Sequence, residues 1–169
     1  GTLKQPIIEL LSQGKDVLNM SVGEPDFNTP ENIINAAIKA MQDGHTRYTP
    51  GGGTKDLKLA IQQKMNRDNN LNYDLNQIIV SSGGKHSLYN ACQALFEAND
   101  EVIIFTPHWV SFPDFVSVTG ATPVFVKTDS ENQYQPIFSD LESKITSNTK
   151  GIIINSPSNP TGGVWSDEA

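Results

Sequence analysis

The most informative stretch of this sequence is Val102-Ile103-Ile104-Phe105, four apolar residues in a row. A strand that is apolar at every position has both faces covered, which is typical of a parallel sheet with helices on either side. Similar short apolar stretches occupy residues 78–80, 123–126 and 152–154. Helical patterns separate them, at residues 85–98, 109–118 and 137–145. The sequence therefore predicts an α/β fold: a mostly parallel sheet of four strands, flanked by helices.

The residues before this region have a different organisation. Residues 7–11 predict a short helical arm, and residues 17–22 predict a strand that runs into the turn-rich loop 23–27. Thr29-Pro30-Glu31 predicts a helix start, because Thr suits the N-cap and Pro suits the first helical position. Thr54 is predicted to cap the next helix in the same way.

We divide the chain into two parts on this basis. Residues 1–28 form an N-terminal arm and loop, and residues 29–169 form part of a larger α/β domain. The last residues, Ser166-Asp167-Glu168, predict the first turn of a helix at the point where the sequence stops. We therefore expect an N-terminal piece of a longer protein, with an α/β domain that is incomplete at its C-terminal end.

Composition excludes several classes of partner. The 169 residues carry a formal net charge of −7 and have a mean hydropathy of −0.36. Basic residues are scattered and only two are arginines, which argues against nucleic acid and anionic membranes as partners. The single cysteine, Cys92, cannot form an internal disulfide and favours a reducing compartment. We expect a cytoplasmic protein.

Ligands of open α/β sheets bind beyond the carboxyl ends of the strands, so the residues at those ends are the candidate site. Ser82-Gly83-Gly84-Lys85 follows the stretch 78–80 and precedes a predicted helix. Small residues at a helix N-terminus let backbone N–H groups approach an anion, which predicts a phosphate site. A tight turn between strand and helix explains the two glycines equally well.

Two further strand ends carry side chains suited to a flat ligand. Trp109 follows residues 102–105 and can stack on a heteroaromatic ring, although a lone Trp more often packs into the core. Asn159 follows residues 152–154 in a loop stiffened by Pro157 and Pro160, where its amide can bind a ligand oxygen or form a local turn. The three histidines, 45, 86 and 108, lack metal-ligand spacing, and we predict no metal site.

Five motifs together resemble the class I/II aminotransferases, pyridoxal-phosphate enzymes of fold type I, and in particular the bacterial aspartate aminotransferases. The motifs occur in the family's order and at its spacing: Gly23-Glu24-Pro25-Asp26-Phe27, Tyr48-Thr49-Pro50, Ser82-Gly83-Gly84-Lys85, Pro107-x-Trp109-x-Ser111 and Asn159-Pro160-Thr161-Gly162. The resemblance covers residues 17–165, nearly the whole chain.

The resemblance implies a role for each motif. The cofactor phosphate would be held by Gly83, Gly84 and Lys85, mainly through backbone N–H groups, and by Tyr48 reaching across a dimer interface. Trp109 would stack on the pyridine ring and Asn159 would donate to its phenolic oxygen.

The substrate would meet the backbone of Gly23 through its α-carboxylate, and Trp109 and Asn159 would also line its site. Residues 23–27 would thus be the substrate loop of the N-terminal part.

The implied activity moves an amino group from an amino acid, with aspartate expected, to a 2-oxo acid in amino-acid metabolism. The implied cofactor is pyridoxal 5′-phosphate and the implied assembly is a homodimer. Lys85 follows Ser82 at the spacing of the family's Ser-x-x-Lys stretch, but it lies at the start of a predicted helix and is not assigned as the Schiff-base lysine. The resemblance implies that the stretch with the Schiff-base lysine is not among these 169 residues. The chain therefore has no catalytic residue of its own, and we expect it to be inactive alone.

Three other functions remain open at this stage. A lyase acting at Cβ would share the same cofactor cradle. A non-catalytic fragment, or a module that binds a phosphorylated ligand, would need no lysine. A nucleotide-binding domain is disfavoured because neither the Gly-x-Gly-x-x-Gly pattern nor the P-loop pattern occurs.

Overall fold

The computed structural model describes residues 4–18, 23 and 25–168. The chain divides into two compact units, Gly1–Tyr48 and Thr49–Ala169. The division that we predicted between residues 28 and 29 concerns the roles of the two parts and stays a prediction.

Within its described residues, the first unit contains two helices, α1 (Lys4–Ser12) and α2 (Glu31–Gln42). The predicted helical arm is confirmed by α1. Residues 17 and 18 of the predicted first strand are irregular, and residues 19–22 lie outside the described residues. No residue of α2 is buried.

The start of α2 differs by one position from the prediction. Pro30, not Thr29, is the N-cap, with extended backbone angles (φ −54°, ψ 139°), and the helix begins at Glu31. Thr29 was wrong as the cap because the helical ladder begins one residue later, with the Ile34 N–H donating to the Pro30 carbonyl at 3.1 Å. Gly44, with φ of +86°, follows the C-cap Asp43 and ends the helix.

The second unit contains a parallel sheet and the remaining helices. The helices are α3 (Lys55–Asn69), a short 3₁₀ helix (Leu75–Gln77), α4 (Gly84–Leu95), α5 (Phe112–Ser117) and α6 (Phe138–Glu142). The strands are β1 (Glu101–Thr106), β2 (Thr122–Lys127) and β3 (Thr149–Ile153), in the order β2-β1-β3. As predicted, Thr54 caps α3, and its hydroxyl accepts a hydrogen bond of 3.4 Å from the Leu57 N–H.

The core lies around the central strand β1. Val102 and Ile104 pack with Phe112 and Val116 of α5 on one face of the sheet. Ile103, whose side chain alternates to the opposite face, is 0% exposed, so both faces of β1 are covered. The apolar stretch that predicted a doubly covered parallel strand is confirmed.

One predicted strand is wrong. Residues 78–80 do not join the sheet, although Ile78 is buried and its backbone is extended. A strand needs a partner strand for its backbone groups, and here the Val80 N–H donates to the Gly52 carbonyl at 3.0 Å instead. The described part of the chain therefore has a sheet of three strands, not four.

The predicted helix start at residues 166–168 is also not formed, because residues 167 and 168 make a turn. None of the helices within the described ranges combines the length and the apolar character that crossing a membrane requires.

Candidate cofactor site

The phosphate turn, which we define as residues 82–86, includes the first three residues of α4. The N-cap of α4 is Gly83, whose φ of +88° and ψ of 165° define a conformation that is open almost only to glycine. No side chain caps the helix. The first bond of the helical ladder runs from the Ser87 N–H to the Gly83 carbonyl, so the N–H groups of Gly84 and Lys85 precede the ladder.

Open space lies in front of Gly84. A Cβ atom built on this residue would meet no protein atom within 4 Å. Gly84 and Lys85 are both exposed. The turn therefore presents backbone donors, the positive end of a helix of 12 residues and a lysine to an unfilled region. These are the features expected of an anion site.

Trp109 lies in the loop after β1, before α5 begins. Its half-buried ring makes edge contacts with Phe112, at 5.6 Å between centroids and 82° between planes. The Lys85 ammonium lies 5.3 Å from the centroid of the Trp109 ring. This cation–π contact joins the phosphate turn to the aromatic side chain that follows β1.

The Asn159 loop, which we define as residues 155–166, follows β3. The Asn159 N–H donates to the Asn155 side-chain oxygen at 2.9 Å. Two backbone bonds of 2.8 Å close the loop on Ser158: its N–H donates to the Gly163 carbonyl, and its carbonyl accepts from the Gly162 N–H. The backbone around Asn159 is thus fixed, while its side chain stays exposed.

The C-terminal end of this loop is held by Gln135, a residue remote in sequence, and by a bond within the loop. The Gln135 side chain donates to the Val164 carbonyl at 2.9 Å and accepts from the Ser166 N–H at 3.1 Å. The Trp165 N–H donates to the Ser156 hydroxyl at 3.0 Å. The loop is therefore held from both inside and outside.

A small cavity of about 20 Å³ lies at the carboxyl ends of β1 and β3. Its lining includes His108, which precedes Trp109, and Asn155 and Asn159 of the Asn159 loop. Among the described residues no carboxylate lines it. The volume suits about one water molecule, so these loops are packed against each other.

His108 contacts its neighbour Trp109 and the strand β2. Its Nδ1 atom lies 2.9 Å from the Trp109 carbonyl oxygen, so Nδ1 carries the proton and donates. The ring also stacks on Phe125, at 5.5 Å and 15°. Contacts therefore run from Lys85 to Trp109 and from Trp109 to His108, and His108 shares the lining of the cavity with Asn159.

The structure thus brings Gly83, Gly84 and Lys85 together with Trp109 through the Lys85–Trp109 contact. Asn159 follows β3, the neighbour of β1 in the sheet, and lines the cavity with His108. Gly23 and Tyr48 belong to the first unit. Both are exposed, and no atom lies within 4 Å of a Cβ built on Gly23. The roles assigned to all seven residues stay predictions.

Sequence reasoning missed the supporting residues. Asn155 could have been found, because an Asn four residues before Asn159 is placed to accept its N–H. Gln135 could not, because its partners lie 29 and 31 residues away. Cys92 is buried on α4, and burial raises the pKa of its thiol, which disfavours a nucleophilic role.

Comparison with known proteins identifies the family. The family model for aminotransferases of class I and II matches residues 15–169. An aspartate aminotransferase of Bacillus subtilis is 49% identical over 160 residues, which is 95% of this chain and 41% of that protein. A probable aspartate/prephenate aminotransferase of Rickettsia conorii is 49% identical over 161 residues, covering 95% of this chain and 40% of its own length.

Solved structures agree. The aspartate aminotransferase of Thermotoga maritima superposes with a TM-score of 0.94 at 36% identity, covering 98% of this chain and 44% of that chain. The Thermus thermophilus aspartate aminotransferase with maleate superposes with a TM-score of 0.92 at 39% identity, covering 98% of this chain and 43% of that chain. The predicted fold class is confirmed, and the chain spans about two fifths of the length of the curated relatives it matches. This chain belongs to the class I and II aminotransferase family.

Proposed function

We propose that this chain builds the cofactor cradle of a pyridoxal-phosphate-dependent aminotransferase. Members of the family use pyridoxal phosphate. The observation that carries the proposal is the contact of Lys85 with Trp109, 5.3 Å from ammonium to ring centroid. It sets an anion-binding helix start beside a flat aromatic side chain, as a phosphorylated ring requires.

The phosphate turn fits a phosphate group chemically. Backbone N–H groups at a helix start donate to phosphate oxygens, and the helix dipole favours the negative charge. Gly84 leaves room for oxygens to approach, since a Cβ there would face open space. The exposed Lys85 ammonium adds a mobile positive charge at the same place.

The ring would rest on Trp109. Lys85 covers one face of Trp109, so a ring stacked on that face would displace the ammonium. The flexible, exposed lysine side chain can then turn toward the phosphate. Asn159, whose exposed amide is carried by a fixed loop, would donate a hydrogen bond to the phenolic oxygen.

The bound cofactor would supply the electron sink for substrate Cα chemistry. The residues of this chain would hold it: the phosphate turn by its N–H groups, Trp109 by stacking and Asn159 by its amide. We place the Schiff-base lysine outside these 169 residues, so that no residue of this chain is catalytic and the chain alone is inactive.

The substrate assignment is part of the proposal. The relatives are named as aspartate or aspartate/prephenate aminotransferases, which supports aspartate as amino donor and a 2-oxo acid as acceptor. Gly23 lies in the substrate loop 23–27 of the N-terminal part, residues 1–28, and would bind the α-carboxylate through its backbone. Trp109 and Asn159 would line the same site.

The assembly is proposed on the same footing. A homodimer would allow Tyr48, whose side chain is fully exposed, to reach the phosphate of the partner subunit. A cytoplasmic location stays a prediction from the sequence.

The test is the visible spectrum of the full-length protein, meaning this chain with whatever sequence its gene adds. Loaded with pyridoxal phosphate, the protein should change colour on addition of aspartate and recover on addition of 2-oxoglutarate. An unchanged spectrum would contradict the proposal.

The same full-length protein separates transamination from the Cβ lyase alternative. A transaminase requires the 2-oxo acid for turnover, whereas a lyase releases ammonia without it. As a test of the ring site, Trp109→Ala and Asn159→Ala should each weaken cofactor retention. If both variants retain the cofactor as the unmodified protein does, the placement of the ring is wrong.

A further inference from the structure

A histidine side chain braces the phosphate turn from within. The Ser82 N–H donates to Nδ1 of His86 at 3.1 Å. His86 is the third residue of α4, and its side chain is exposed. This bond spans Gly83, the residue with φ of +88° on which the turn pivots.

Such a bond replaces the usual helix cap. In a capping box, a Glu or Gln at the third helical position accepts a backbone N–H from the start of the helix. Here the N-cap is a glycine with no side chain, so His86 supplies the bracing alone and reaches one residue further back. Because the Ser82 N–H donates to it, Nδ1 of His86 acts as a hydrogen-bond acceptor in this arrangement.

The bond to His86 also determines which backbone N–H groups of the turn are already bonded within the protein. The Ser82 N–H is consumed by His86, whereas the N–H groups of Gly84 and Lys85 precede the helical ladder. Without this bond, the flexible glycine would let the turn adopt several conformations. Only some of them would direct the N–H groups of Gly84 and Lys85 at one anion.

We propose that His86 is a positioning residue for phosphate: its ring fixes the Ser82–Gly83 backbone so that the N–H groups of Gly84 and Lys85 converge on the cofactor phosphate. This inference rests on the proposed function, since it assigns a role within the proposed phosphate site. His86 acts through the backbone, and a hydrogen-bond acceptor at this position is all that the role requires.

The experiment compares two ligands that differ only in the phosphate. Affinities for pyridoxal phosphate and for unphosphorylated pyridoxal are measured by equilibrium dialysis on the full-length apoprotein, with His86→Ala and His86→Gln beside the unmodified protein. His86→Ala should lower the affinity for pyridoxal phosphate about threefold to tenfold, the worth of one hydrogen bond, and leave that for pyridoxal unchanged. His86→Gln, which keeps an acceptor but cannot carry a charge, should restore the affinity.

Three results would overturn the role of His86: no loss in His86→Ala, an equal loss for both ligands, or no rescue by His86→Gln. The last would show that the imidazole itself, or its charge, is required. Failure of the proposed function is visible separately, because the unmodified protein would then bind pyridoxal phosphate no better than pyridoxal.

Discussion

The phosphate turn and the Asn159 loop are built in opposite ways. The turn depends on a glycine conformation, φ of +88° at Gly83, and on one side-chain bond from His86. The loop depends on a network of side chains, in which Asn155, Ser156 and Gln135 bond its backbone. In our proposal the turn binds an anion through backbone groups, whereas the Asn159 amide must reach one atom of a ring and needs a rigid support. Changes to backbone freedom should therefore damage the turn, and loss of tethers should damage the loop.

The largest effect is expected for Gly83→Ala. Its φ of +88° excludes ordinary side chains, so strain of about 1–3 kcal/mol should appear as lost stability or lost pyridoxal phosphate affinity. Thermal unfolding and ligand dialysis on the full-length protein measure both.

The matched control for this change is the neighbouring glycine. Gly84→Ala lies inside α4 with open space for its Cβ, so stability should hold or rise by up to about 1 kcal/mol. Pyridoxal phosphate affinity should nevertheless fall, because only a ligand would meet the new methyl group. Equal stability losses in the two variants would refute the contrast.

A somewhat smaller effect is expected for Gln135→Ala. The variant loses two hydrogen bonds to the Asn159 loop, and because the site is partly exposed we expect a stability loss of about 1–2 kcal/mol. Affinity should fall for pyridoxal as well as for pyridoxal phosphate, since in our proposal the loop positions the group that binds the ring. This pattern differs from that of His86→Ala, which should spare pyridoxal.

Gln63→Ala, on an exposed position of α3, is the control for the loss of a glutamine side chain. It should leave both affinities unchanged. If Gln135→Ala affected only the phosphorylated ligand, the division of labour between turn and loop would be wrong.

The smallest effect is expected for Ser156→Ala. It removes the acceptor of the Trp165 N–H, a single exposed bond worth about 0.5–1 kcal/mol. Denaturant unfolding should detect the loss, with Ser147→Ala as a control at an exposed serine outside the loop. A Ser156→Ala protein as stable as this control would show that the bond contributes nothing to holding the loop.

Local chemistry made much of the fold predictable from sequence. Four apolar residues identified β1 as doubly covered, and Thr54 was found as a cap, because both signals are contained within a few residues. The prediction of a strand at residues 78–80 was wrong because strand pairing is not a local property. The Val80 N–H donates to the Gly52 carbonyl, and three strands form the described sheet.

The site divides in the same way. Gly83 and Gly84 were placed at a helix start by their order alone, and the rule for strand ends brought Trp109 and Asn159 to one side of the sheet. The support given by Gln135 could not be foreseen, because nothing in a glutamine indicates which distant backbone it will bind. His86 bonds only four residues away, but histidine is not the residue type typical of helix caps.

The most direct measurement is a crystal structure of the full-length protein with pyridoxal phosphate. We expect phosphate oxygens within about 3.2 Å of the Gly84 and Lys85 backbone nitrogens, the ring against Trp109 and the Asn159 amide at the phenolic oxygen. A phosphate bound away from the start of α4, or a ring out of reach of Trp109 and Asn159, would contradict the account.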